Sequence, residues 1–222
     1  MRGLEFDVAH LLAGSLVLIS LVMLYQDRML ALLNVFAAQA FVLAASVAWQ
    51  AHVQEAPHLY VTAAIALLFK GIVIPMALRR IVRRFGIHRE IETVGGFGPT
   101  MLAGMALVAL SLVVMLRVTE TSAATPLARE DLAFALSVVL LGLLMMVTRR
   151  NAVSQVVGFM SLENGLILAA TGALGMPLVV EISVAFSVLI AFIVIGIVLS
   201  RIRERFDTVD IEAVDQARGE RR

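Results

Sequence analysis

The sequence predicts an all-α membrane protein, a polytopic bundle of seven transmembrane helices with its N-terminus outside and its C-terminus in the cytoplasm. Hydrophobic residues make up 60% of the 222 residues, and the mean hydropathy is +0.94. The apolar residues fall in stretches of about 20, the length that a helix needs to cross a bilayer. Because lipid offers the backbone no hydrogen-bond partners, these stretches are predicted to be helices rather than isolated strands.

Polar or proline-containing breaks divide the apolar stretches, as at residues 26–28, Pro57 and Pro126. We expect the first stretch to be a retained helix rather than a signal peptide, because Glu5 and Asp7 lie at its start and no small-residue cleavage site follows. The predicted spans are residues 8–24, 29–50, 59–78, 97–116, 131–147, 152–174 and 177–199.

The distribution of arginine predicts the orientation of the bundle. One side of the membrane receives Arg2, Arg117 and Arg129, whereas the remaining arginines, from Arg28 to Arg222, all fall on the other side. Cytoplasmic connections are enriched in basic residues, so the arginine-rich side is predicted to be cytoplasmic. An odd number of helices is needed for this separation.

A weak internal repeat is also predicted. Residues 41–45 match residues 166–170 in character, and the same offset aligns Gln39 with Asn164. Helices 1–3 and 5–7 would then be parallel copies, a pattern that occurs in transporters.

Glu163 is the leading candidate for a functional residue, because it lies near the middle of the sixth predicted span. A charge at that depth costs roughly 2.5–3.5 kcal/mol on insertion scales. Its neighbours one turn away are apolar, and desolvation there favours the neutral carboxyl. The residue could take up and release a proton, or it could be a neutral hydrogen-bonding group between helices.

Lys70, which is the only lysine of the chain, lies near the middle of the third span, beside Gly71 and one turn before Pro75. A buried lysine can carry a proton. Alternatively, it is a fixed counter-charge for a carboxylate of this or another subunit, or its side chain extends to the interface. Pro75 removes a backbone hydrogen bond and is expected to kink the helix.

Glu181 lies about one turn into the seventh span, towards the outside. It could be a second station of one proton path with Glu163, or it could simply face the outer interface. Gln39 and Asn164 are expected to be supporting polar residues within their helices.

No cofactor and no metal site are predicted. The chain has no cysteine, and its histidines are dispersed. The basic stretch from Arg79 to Arg89 is typical of a topology signal that contacts anionic lipid headgroups, and no nucleic-acid partner is expected.

Part of the C-terminal half resembles a known family. Arg149, Arg150 and Asn151, then Gly158 and Asn164, resemble the opening of the second helix of NuoK, the small three-helix subunit of respiratory complex I, and of its relative in multi-subunit sodium/proton antiporters.

The alignment with NuoK is incomplete at the glutamates. The membrane glutamate of that family aligns with Met160, and Glu163 lies one helical turn further on. The second glutamate of the family would align near Phe192, where this chain has none. The glutamate relay of NuoK therefore cannot be transferred position by position.

Motifs along nearly the whole chain resemble the HyfE family of hydrogenase-4 membrane components. The shared features are Lys70 with Pro75, the 97–99 start of the fourth helix, Arg150-Asn151, Glu163-Asn164-Gly165, Val180-Glu181-Ile182 and the acidic tail. The resemblance implies a four-helix region (1–117), a NuoK-like three-helix region (118–202) and a charged cytoplasmic tail (203–222).

The resemblance also implies a function. The chain would be a non-catalytic, multi-pass subunit in the bacterial inner membrane, part of a group 4 nickel–iron hydrogenase or formate hydrogenlyase. Its partners would be antiporter-like subunits and the lipid bilayer, and Glu163, Lys70 and Glu181 would contribute to a proton path. The alternatives are a non-conducting structural adaptor and an independent cation transporter. The resemblance leaves both H⁺ and Na⁺ as candidates for the translocated ion.

The orientation can be tested in this cysteine-free chain by introducing a single cysteine at Ser122. We expect a membrane-impermeant thiol reagent to label it from the outside only. Labelling only from the cytoplasm would invert the predicted topology.

Overall fold

The computed structural model describes residues 2–85, 96–119 and 126–172, and the regular structure in these ranges is helical. The helices are α1 (Arg2–Tyr25), α2 (Met29–Val53), α3 (His58–Ala66), a π-helical segment (Leu67–Val73), α4 (Ile74–Phe85), α5 (Phe97–Thr119), α6 (Pro126–Thr148) and α7 (Ala152–Gly172). Because α3, the π-helical segment and α4 form one continuous span, the described residues hold six helices long and apolar enough to cross a membrane.

The all-α class and the first six predicted spans are thus confirmed. The seventh predicted span, 177–199, and the charged tail lie outside the described residues. The orientation of the termini and the division into regions stay predictions.

Three helix boundaries differ from the sequence prediction by more than three residues. Helix α1 begins at Arg2 rather than at residue 8. The third span was expected to end at residue 78, but α4 continues to Phe85 and includes Arg79, Arg80 and Arg83. Arginine is a good helix former, so positive charge alone does not end a helix. Helix α6 begins at Pro126, which was predicted to lie in a loop. Proline suits the first helical turn because its missing N–H has no partner there anyway.

The connections have recognisable caps. After α2, Glu55 adopts a left-handed φ of 51°, and the Ala56 N–H donates to the Ala51 carbonyl at 3.0 Å. This is the bond pattern that ends a helix through a left-handed residue, and Pro57 follows it. Before α7, the Asn151 side chain accepts a bond from the Val153 N–H at 2.8 Å and caps the helix start.

Glycines bring α6 and α7 into close backbone contact. A Cβ atom added at Gly142 would lie 2.6 Å from the Leu162 nitrogen, and one at Gly165 would lie 2.8 Å from the Val139 nitrogen. Small residues at such contacts let membrane helices approach and pack. The two helices therefore form the tightest described pair, and α7 has the largest buried share of its span, 56% against 17% for α5.

Helices α2 and α7 lie side by side and run in the same direction. The Ser154 hydroxyl contacts the Met29 sulfur at 3.9 Å, and the Asn164 side-chain amide donates to Gln39 at 3.1 Å. Each contact joins residues separated by 125 positions. This is the offset of the predicted internal repeat, which itself stays a prediction.

The close approach of α6 and α7 can be tested with Gly142→Ala. The added methyl group meets backbone atoms, which cannot rotate away, so we expect a loss of about 1–3 kcal/mol of stability and a lower Tm in detergent. Gly14→Ala is the matched control, because nothing lies within 4 Å of its added Cβ. An equal Tm for the two variants would contradict this packing.

Candidate functional site

Lys70 and Glu163 form an ion pair inside the helix bundle. The Lys70 Nζ lies 3.2 Å from Oε2 of Glu163, and the exposed fractions of the two residues are 0% and 3%. Lys70 comes from the third span and Glu163 from α7, both near the middle of their spans. Lys70 therefore contacts a carboxylate of this same chain, and its role as a fixed counter-charge or a proton carrier stays a prediction.

A chain of buried polar side chains leads away from the pair. Lys70 Nζ donates to the Asn164 side-chain oxygen at 2.9 Å, and Asn164 donates to Gln39. Gln39 Nε2 then donates to the hydroxyls of Ser20 at 2.8 Å and Ser161 at 2.9 Å. The network thus joins α1, α2, the third span and α7 at one depth of the bundle.

Lys70 lies in the π-helical segment, so the backbone around it departs from regular α-helical geometry. The Ile74 N–H donates to the carbonyl of Phe69, five residues earlier, instead of four. Pro75 follows directly and has no N–H to donate, so the wider turn falls where the α-helical pattern is already interrupted. Such π-helical turns are frequent at functional sites. The structure thus shows a change of helix type at Lys70, one turn before the proline at which a kink was predicted.

The pair has chemistry that its neighbours in the network lack. A carboxyl and an amine can exchange a proton at 3.2 Å, whereas side-chain amides hold their protons near neutral pH. Asn164 and Gln39 therefore orient Lys70 without relaying a proton themselves. Among the described residues, no group of three or more His, Cys, Asp or Glu side chains could hold a metal ion.

A second ionisable pair joins α1 and α6 at the opposite end of α6 from Arg149. His10 Nδ1 lies 3.8 Å from Oδ1 of Asp131, and their side chains are 20% and 12% exposed. His10 Nδ1 also lies 3.1 Å from the Phe6 carbonyl. Neither residue was singled out from the sequence.

Arg149, which the sequence suggested as a topology signal and as part of the NuoK resemblance, is almost fully buried at the end of α6. Its Nη2 donates to the Leu24 carbonyl at 2.6 Å and so satisfies the C-terminal end of α1. Burial lowers the pKa of the Arg149 guanidinium, and the carboxylate of Asp27 opposes that shift. Arg149 therefore ties α6 to α1.

The structure brings together four of the residues predicted from the sequence: Lys70, Glu163, Asn164 and Gln39. Glu181 lies outside the described residues, so its role stays a prediction. Ser20 and Ser161 were not predicted from the sequence. The signal that could have found them was a hydroxyl inside an apolar stretch, at the depth of another buried polar group.

Six membrane-competent helices in the described ranges and an ion pair near mid-span define a multi-pass membrane protein with an ionisable intramembrane site. The chain is 30% identical over 215 residues to "Hydrogenase-4 component E" of Escherichia coli, which covers 96% of this chain and 98% of that protein. The protein of the same name from Shigella flexneri matches equally. The chain therefore belongs to the hydrogenase-4 component E family, as its motifs predicted.

A further relative is the uncharacterized protein Rv0085 of Mycobacterium tuberculosis. It is 33% identical over 216 residues, which cover 93% of this chain and 94% of that protein. No family model and no solved structure matches the chain. The NuoK resemblance is not tested by these matches and stays a prediction.

The coupling between Lys70 and Glu163 can be measured with a double-mutant cycle. We expect Lys70→Met and Glu163→Gln each to lower Tm in detergent, because each removes the partner of a buried group. The double variant should lose less stability than the sum of the losses of the two single variants, and the difference should be about 1–2 kcal/mol. Pairing Lys70→Met with Glu55→Gln, an exposed residue of the α2–α3 turn, gives the additive control. Additivity in both pairs would show that the charges do not interact.

Proposed function

We propose that this chain is a membrane subunit of a hydrogenase-type complex in the bacterial inner membrane, and that its Lys70–Glu163 pair holds and releases a proton on a translocation path. The observation that carries this proposal is the ion pair itself, 3.2 Å between Lys70 Nζ and Glu163 Oε2, near the middle of two membrane-competent helices. Membership of the hydrogenase-4 component E family supports the type of complex.

Electrostatics favours a functional pair over packing alone. Two charges lose favourable hydration when they are buried, and their mutual attraction often fails to offset that cost. A well-packed apolar contact of similar volume is therefore often the more stabilising way to hold helices together. A site that changes its protonation needs such groups. If the proton moves from Lys70 to Glu163, both side chains become neutral and the net charge of the bundle does not change. Such a transfer avoids placing an uncompensated charge in apolar surroundings.

The same geometry favours H⁺ over Na⁺. A sodium ion in this site would need the oxygen atoms of Glu163 and Asn164 as ligands. Both oxygens face the Lys70 ammonium, at 3.2 Å and 2.9 Å, so the position that a cation would take is already filled. The proposed transported ion is therefore the proton.

The hydrogen bonds around the pair hold the Lys70 ammonium in a defined position beside Glu163. Asn164 accepts from Lys70, and Gln39 holds Asn164 while it donates to two serine hydroxyls. Because amides do not exchange protons readily, a complete path requires water or further residues on both sides of the pair. Glu181 is the proposed station on the outer side.

The partners follow from the family. The relative in Escherichia coli is named as a component of hydrogenase-4, which supports assembly with other subunits. We propose antiporter-like membrane subunits as neighbours, with the redox centres of the complex on other chains.

A structural adaptor is the second candidate, and one observation favours it. The same network joins α1, α2, the third span and α7, so it could serve to fix these helices for docking. An adaptor would depend on the hydrogen bonds of the network and not on the titration of Glu163.

Glu163→Gln separates the two candidates, because it keeps size and hydrogen bonding but removes the ionisable group. We expect the complex to assemble normally, with proton translocation coupled to hydrogen turnover reduced at least about 100-fold, the lower end of the range for one lost proton-transfer group. Lys70→Met should have a similar effect. Proton uptake by inverted membrane vesicles provides the measurement.

Glu55→Gln is the matched control, since it makes the same chemical change at an exposed residue. It should translocate protons as the unmodified complex does. Full coupled translocation by both Glu163→Gln and Lys70→Met in an assembled complex would leave the adaptor as the function.

A further inference from the structure

A basic cavity lies beside the C-terminal half of the third span, away from the Lys70–Glu163 pair. Its volume is about 600 Å³, and its lining among the described residues is Met76, Arg79, Arg80 and Arg83. These residues are spaced three, four and seven positions from the first, so they form one face of α4. The cavity size is within the range of sites for small ligands.

The arginines of the cavity offer donors that the described part of the protein does not use. Arg79 Nη2 donates to the Asn34 side chain of α2, which anchors the guanidinium against the neighbouring helix. Its Nε is buried and has no hydrogen-bond partner among the described residues. Arg80 and Arg83 are exposed. A buried N–H group without an acceptor is unfavourable, so an oxygen acceptor in the cavity would complete the site. The positive charge of the three guanidinium groups favours an anionic acceptor.

The position of the cavity identifies the source of that anion. The apolar window of the third span runs from His58 to Arg83, so the arginines lie where hydrocarbon gives way to polar headgroups. Met76 lies one turn closer to the membrane centre on the same face and offers a flexible apolar contact. A ligand that suits both ends has an acidic head joined to an acyl chain.

We infer that this face of α4 is a binding site for an anionic phospholipid whose headgroup carries two phosphates. Guanidinium groups match phosphate oxygens in bidentate geometry. Three arginines around one cavity suit two negative charges better than one, and a zwitterionic headgroup would bring its own cation against them. The site is independent of the proton-transfer role of Lys70 and Glu163, and it does not depend on which side of the membrane the arginines face.

The test uses the full chain in detergent and native mass spectrometry, with tetraoleoyl cardiolipin as the two-phosphate probe. Dioleoyl phosphatidylglycerol is the one-phosphate probe, and dioleoyl phosphatidylethanolamine is the zwitterionic probe. We expect cardiolipin to bind tightest. The variant Arg80→Gln/Arg83→Gln should bind it roughly 30-fold more weakly, from the typical contribution of two basic residues near an anionic surface.

The matched control is Arg28→Gln/Arg117→Gln, which removes the same charge from exposed residues outside the cavity. We expect its cardiolipin affinity to stay within about threefold of the unmodified chain. Equal losses in the two double variants would show non-specific attraction, and no loss in either would show that the cavity binds no lipid. Both results overturn the inference.

Two further arms exclude other occupants. Soluble glycerol phosphate at millimolar concentration should not displace cardiolipin, and displacement would assign the site to a free phosphate compound. If Arg80→Gln/Arg83→Gln instead keeps cardiolipin but loses partner subunits during purification, the face docks an acidic protein surface and the lipid assignment is wrong. Should the double variant unfold, Arg83→Gln alone must still weaken cardiolipin binding by about fivefold.

Discussion

Lys70 and Glu163 place two opposite charges near the middle of the described bundle, and each charge is costly there without the other. Lys70 and Glu163 come from helices far apart in the sequence, so their pairing requires the third span and α7 to meet at one depth. Asn164 and Gln39 then find partners in the same layer. The cost of an unpaired charge in lipid thus constrains the vertical position of four helices at once.

The centre of the described bundle is the contact between α2 and α7. Glycines hold α6 tightly against α7, and Arg149 ties the end of α6 to α1. The two contacts at an offset of 125 residues make α2 and α7 packing partners. The predicted repeat would make Gln39 and Asn164 equivalent positions, and these two side chains bond to each other.

Much of the fold was accessible from the sequence because the bilayer imposes a simple length rule. The six described spans were predicted, and the intramembrane charges identified Lys70 and Glu163 as important. Their mutual contact was not predicted, since nothing within one helix specifies which residue of another helix it faces. The π-helical segment and the burial of Arg149 were also not predicted, because both depend on tertiary packing and not on the local sequence pattern.

The pairing of Lys70 with α7 has a consequence for biosynthesis. Asn164 follows Lys70 by 94 positions, so the lysine enters the membrane long before its partners are made. During that interval a charged Lys70 ammonium costs its helix roughly 2.5–3.5 kcal/mol on insertion scales. The arrival of α7 supplies the missing carboxylate and amide. The pairing that offsets the charge of Lys70 thus becomes available only once α7 has been made.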